Sequence, residues 1–310
     1  MPANVESMFY TRVAPWRGLG VCVEETLNSE EALEKSGLDW NVVQHPIMTP
    51  VCGVVQGYKA NVRETDSRAL GIVTDRYKIV QNREAFAFTD ALLGEGVRYE
   101  TAGSINGGRK VWLLAKLPAR YVWNGEEIEP YLVFSNTHDG SGAIKVAMTP
   151  VRVVCQNTLN LALNSAKRIW TTIHVGNLAN KMDEAHCTLS LANNYMNLLG
   201  EEFKRLTEVR LSDSKVIEYI NMLLPMNDNP TELHRRNVES VREDLKIRYF
   251  DAPDLRHIGK TAYRFVCAVS DFATHAKPLR ETANYRENVF AKTIEGNPLI
   301  DKAHEIVLAA

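Results

Sequence analysis

The sequence predicts an α+β protein: an antiparallel β-meander with packed helices, followed by a mostly α-helical C-terminal half. Three observations predict it. Asn-Gly and Asp-Gly turn signals recur between β-rich runs over residues 98–154. The stretch Tyr131–Arg168 reads in turn as strand, turn, strand and helix. Two apolar seams with alternating three- and four-residue spacing occupy residues 182–206 and 258–276. The division falls near residue 180, giving an α+β domain over 1–180 and a helical region over 181–310.

Taken in order, the first fifty residues read as irregular. Asn28 or Ser29 caps a short helix over Glu30–Ser36, with acidic residues in the first turn where the helix dipole favours them. Gly37 ends it, and Pro46 and Pro50 punctuate an extended linker. Val51–Val62 and Leu70–Val80 are rich in β-branched and aromatic residues and are expected as strands. Asn82 is the expected N-cap of a helix over Arg83–Leu93, closed by Gly94.

The meander follows. Asn106-Gly107-Gly108 separates Arg98–Ser104 from Arg109–Leu117. Asn124-Gly125 separates Arg120–Trp123 from Glu127–Ser135, and Asp139-Gly140 separates that strand from Ala143–Val154. Type I′ hairpin turns need positive φ at both central residues, which Asn-Gly and Asp-Gly supply. Beyond Ile173 the pattern turns helical. Met182, Ala185, Leu189, Ala192, Met196, Leu199, Phe203 and Leu206 form one seam; Ile258, Ala262, Phe265, Val269, Phe272 and Ala276 form the second. Ser214–Leu224 and Glu232–Arg248 are shorter amphipathic helices between the breakers Pro225 and Pro230. Seams of matching period pack side by side at a shallow angle, within one chain or between two copies.

With 310 residues, 45% of them hydrophobic, the chain can bury a sizeable core. The formal net charge of −2 is unevenly spread. Residues 98–180 carry 9 Lys and Arg against 5 Asp and Glu, the one basic segment. That excess is far below the footprint of a dedicated duplex-DNA binder. Five scattered cysteines without a CxxC pair, and no signal peptide, point to reduced thiols in a cytoplasm; no apolar run reaches membrane-span length.

The common catalytic and cofactor motifs are missing. The histidines and cysteines form no metal-ligand spacing, and no cofactor is expected. Gly259-Lys260-Thr261 resembles the end of a phosphate loop, but Asp254 stands where that loop needs glycine. Cys155 with His138 and Asp139 has the composition of a nucleophilic site, yet Asp139 is needed by the turn. What remains is a surface: Arg109, Lys110, Lys116, Arg120, Lys145 and Arg152 are interleaved with Trp112, Tyr121, Trp123, Tyr131 and Phe134. Alternation puts Lys110, Trp112 and Lys116 on one strand face. Cations beside aromatic rings hold single-stranded nucleic acid, phosphates on Lys and Arg and bases on the rings. Asn157 as a helix N-cap, with Thr158 after it and Arg152 close behind, would turn backbone amides towards an anion. The alternative is that Trp112 and Phe134 point into the core.

Several segments together resemble one family: Pro15-Trp16-Arg17-Gly18-Leu19-Gly20, Gly37-Leu38-Asp39-Trp40, Tyr77-Lys78-Ile79-Val80-Gln81-Asn82, the run Ser135 to Ser141, the run Thr149 to Leu159, and Ala262 to His275. The family is the phage/plasmid-like domain of unknown function 932. The resemblance spans nearly the whole chain and implies a mobile-element origin, with no settled activity. A remoter analogy, resting on element order, links the chain to phage single-strand-annealing proteins. The sequence therefore leads us to expect a phage-type protein that binds single-stranded DNA and self-associates. A non-enzymatic interaction protein that engages a host protein through its helical half is the second expectation.

Overall fold

The computed structural model describes residues 5–11, 20–94, 97–117, 121–123, 125–152, 169–177, 179–280, 292 and 296–309. The fold is α+β with antiparallel sheets, strand-rich in its first half and helical in its second. The chain divides into two compact units, the first formed by residues 1–118, 131–148 and 168–191, the second by 119–130, 149–167 and 192–310.

The first unit holds the main sheet. Its elements are β1 (Val5–Thr11), β2 (Val21–Val23), α1 (Ser29–Lys35), β3 (Val42–Thr49), β4 (Gly53–Arg63), β5 (Arg68–Thr74), α2 (Asn82–Leu93), β6 (Arg98–Ile105) and β7 (Lys110–Lys116). Parts of β9 (Glu126–Thr137) and β10 (Ile144–Arg152) follow, with β11 (Ile169–Thr172) after them. Strand order is β11-β10-β9-β7-β6-β1-β2, so β6, β7, β9 and β10 are the expected antiparallel meander. The Asn106-Gly107-Gly108 turn has φ of 55°, 68° and 85°, the left-handed geometry that its composition favours.

Three expectations needed correction. The described residues among the first fifty are not irregular: β1 pairs antiparallel with β6, and β2 joins β1 in parallel. β3 replaces the expected linker, forming with β4 and β5 a separate three-stranded sheet. Pro46 is accommodated because β3 is an edge strand whose register shifts between Pro46 and Met48. The strand expected to reach Val80 stops at Thr74.

Local chemistry explains the helices. In α1, Glu31 N–H donates to Asn28 Oδ1 and Asn28 N–H donates to Glu31 Oε2, each at 3.0 Å, a reciprocal capping box. In α2 the N-cap is Gln81, one residue earlier than expected, and its amide donates to Glu84 Oε2 at 2.8 Å. Both helices cover one sheet face, burying Phe86, Phe88 and Leu92 with Val111, Leu113, Phe134, Val146 and Trp170.

The second unit contains β8 (Tyr121–Trp123), paired with the first residues of β9, and most of α3 (Met182–Glu208). It also contains α4 (Asp213–Leu223), α5 (Glu232–Asp251), α6 (Ala262–His275) and α7 (Pro298–Leu308). The first seam is real: Met196, Leu199, Phe203 and Leu206 are all fully buried. Phe203 meets Tyr263 of α6 with ring centroids 5.1 Å apart, so the two seam helices pack within one chain. The second seam is more than a stripe. Every residue of α6 from Ala262 to Ser270 is buried, which makes it the central helix of its unit. Gly200 lets α3 approach the β8 hairpin, since a β-carbon there would lie 2.5 Å from Trp123 Nε1. Among the described residues, no helix is long and apolar enough to cross a membrane.

Candidate functional site

The β6–β7 turn and the connection from β9 to β10 lie at the same end of the meander, because Lys110 pairs with Thr137. His138 N–H donates to the Arg109 carbonyl at 2.7 Å and ties the two loops together. Arg109 is exposed in the turn, and Lys110 and Lys145 are half-buried where their strands begin. Lys145 pairs with Thr171, whereas its neighbours Ile144 and Val146 belong to the helix-covered core. It therefore projects from the same face as Lys110. With β9 alone between them, strands β7 and β10 run about 10 Å apart.

The other expected residues are dispersed. Lys116 shares the face of Lys110 but lies about 20 Å away at the far end of β7. Arg152 ends β10, while Asn157, Thr158 and the helix expected after them lie outside the described residues. Trp112 is only 2% exposed, and a β-carbon on Gly103 would fall 2.7 Å from its ring. It is a core residue, and so is Tyr131 at 5% exposure; neither is a surface on which bases could stack. On β9, beside Lys110, the same face is also closed, with Thr137 and Ser135 buried.

A charge network that leaves no motif in the sequence abuts the same turn. Arg63 forks onto Glu6 at 2.7 and 2.8 Å and onto Asp66 at 2.9 and 2.6 Å, and Arg68 reaches Glu6 at 2.9 Å. The Arg63 guanidinium lies over Trp40, 5.3 Å from the ring centroid. Hydrogen bonding to Arg63 holds the carboxyls of Asp66 and Glu6 below the usual range, so both acids stay ionised and paired with arginine. A β-carbon on Gly108 would meet Arg63, Trp40 and Glu6 at 3.1 to 3.4 Å, which places the turn directly against this network.

Behind the turn, residues from three of the family-like segments converge on one buried polar junction. Asn82 donates to the Leu38 carbonyl at 2.9 Å, and its Oδ1 accepts from His138 Nε2 at 3.0 Å. Asn61 donates to the His138 carbonyl at 2.7 Å, Asn136 to the Val80 carbonyl at 3.0 Å, and Tyr77 to the Thr137 carbonyl. The Trp40 indole sits edge-on to His138 with centroids 5.4 Å apart. Asn82, expected as a cap, is thus turned inward to hold the junction. Lys78 and His174 exchange two bonds: Lys78 N–H donates to the His174 carbonyl at 2.8 Å, and His174 Nδ1 donates to the Lys78 carbonyl at 3.1 Å. The His174 ring also stacks on Tyr77 at 4.4 Å.

His138 is wholly buried in this junction. Burial, and then the charge of His174, lower its pKa to about 3, so it is neutral and structural; Cys155, the nucleophile that composition pairs with it, lies outside the described residues. Burial lowers His174 as well. Unfolding returns both rings to water near pKa 6.5, so the unfolded chain binds the extra protons. Stability from these histidines is complete above pH 6.5 and is lost as pH falls towards 3. Between pH 6.5 and 5 His138 alone contributes a loss of about 2 kcal/mol. Urea unfolding across that window checks this, and a His138→Gln variant should flatten the slope.

A family model described as "Domain of unknown function (DUF932)" matches residues 69–293. No curated protein and no solved structure matches the chain.

Proposed function

Because the chain belongs to the DUF932 family, whose designation carries no activity, we propose that it binds single-stranded DNA through the phosphate backbone at the turn end of the meander. The observation that carries this reading is the grouping of Arg109, Lys110 and Lys145 at one end of the sheet, inside the one basic segment of the sequence. A spacing of about 10 Å between strands matches one or two nucleotide steps. With Trp112 and Tyr131 in the core, stacking contributes nothing from this face, so binding is electrostatic and indifferent to sequence. Strand annealing by a mobile-element protein belongs to the same proposal and requires self-association, so that two strands are held at once.

Fluorescence anisotropy with a labelled oligothymidylate tests it. Affinity should fall steeply with salt, and Lys110→Glu combined with Lys145→Glu should weaken binding at least tenfold. The slope of log affinity against log salt should drop by about 0.7 for each phosphate no longer engaged. Affinity unmoved by salt and by both reversals would overturn the proposal.

A further inference from the structure

A pocket of about 710 Å³ in the first unit plays no part in the proposed DNA binding. Its lining includes the buried side chains of Val80, Phe88 and Ile144, so its floor is apolar. Residues 78–80 and the first turns of α2 form one wall and residues 172–177 the other. The reciprocal bonds between Lys78 and His174, described above, join these walls and hold the pocket in shape. A cavity of this size accommodates a small organic ligand.

Charge selects the class of ligand. Among the described residues, Lys78 and Lys181 line the pocket against a single carboxylate, Glu84, which is engaged by the Gln81 amide at the start of α2. The Lys181 ammonium donates to Thr172 Oγ1 and to the Ile173 carbonyl. An ammonium has three donors, and these two bonds, the ones it makes among the described residues, fix its position with a further donor to offer. A positioned cation above an apolar floor is complementary to an amphipathic anion. We infer that this pocket binds a small organic anion, with an apolar body of one or two rings on Val80, Phe88 and Ile144 and its acidic group on Lys181 and Lys78. Such binding is independent of DNA binding, because none of Arg109, Lys110 and Lys145 lines the pocket.

Isothermal titration of the full chain with three probes tests it: 1-naphthyl phosphate, 1-naphthoate and uncharged 1-naphthol. At least one of the two anions should bind about tenfold more tightly than naphthol, the ratio expected from one well-placed charge. Which anion binds better separates a phosphate monoester from a carboxylate as the natural head group. Lys181→Met should abolish the preference for charge. Ala87→Trp, which projects a ring into the pocket from an exposed position on α2, should abolish binding of every probe without lowering the melting temperature appreciably. Equal affinity for naphthol and both anions, no binding of any probe, or binding indifferent to Ala87→Trp would each overturn the inference.

Discussion

Replacing Arg264 with methionine is expected to destabilise the protein by about 4 kcal/mol. Arg264 is 7% exposed, and its guanidinium donates to the carbonyls of Tyr249 at 2.8 Å, Ile258 at 3.1 Å and Phe250 at 3.2 Å. Tyr249 and Phe250 are in the last turn of α5, where carbonyls lack intrahelical donors and the helix dipole is negative. One planar fork therefore caps a buried helix end, while lying 5.1 Å from the Tyr249 ring centroid. Methionine preserves the apolar stem and removes every donor, so several carbonyls stay buried without partners. Lysine retains the charge but has no planar fork, and about half the loss should remain. Urea melts of the three proteins measure this; a loss under about 1 kcal/mol for methionine would mean that water replaces the guanidinium.

The second large effect belongs to Gly103. Gly103→Val is expected to cost about 3 kcal/mol or more, or to prevent folding of the first unit. A β-carbon there would lie 2.4 Å from the Ser7 carbonyl oxygen, 2.6 Å from Met8 Cβ and 2.7 Å from Trp112 Cη2. One of those three is backbone of the paired strand β1, which cannot move without opening its register with β6. Trp112→Leu in the same background should restore part of the stability by removing one of the clashes, and the melting temperatures of the single and double variants would show it.

Much of this fold is legible in the sequence, and the failures have physical reasons. The turn chemistry at Asn106-Gly107-Gly108 and the seam of α3 are local signals, and both carry through. β1 escapes a local reading because Val5-Glu6-Ser7-Met8-Phe9 has no clean alternation; its strand state is set by pairing with β6 some hundred residues on. The candidate interface is half legible. Alternation correctly puts Lys110, Trp112 and Lys116 on one face, but alternation cannot tell which face meets water. Val111-Trp112-Leu113-Leu114-Ala115 is a continuous apolar run, and that signals burial on both sides. The polar junction leaves no periodic trace. Its members come from positions 61, 77, 82, 136 and 138, which only the tertiary fold brings together.

The Glu6–Arg63 fork has a bearing on how the chain tolerates shortening. Glu6 belongs to β1, so this ion pair fastens the outer part of the main sheet to β4 of the smaller one. A chain begun at residue 20 would lose the fork and also bare the hydrogen-bonding edge of β6. Such an edge recruits strands from other molecules. Trimming that leading segment would thus be expected to promote self-adhesion through the bared strand, an artefact easily mistaken for genuine assembly.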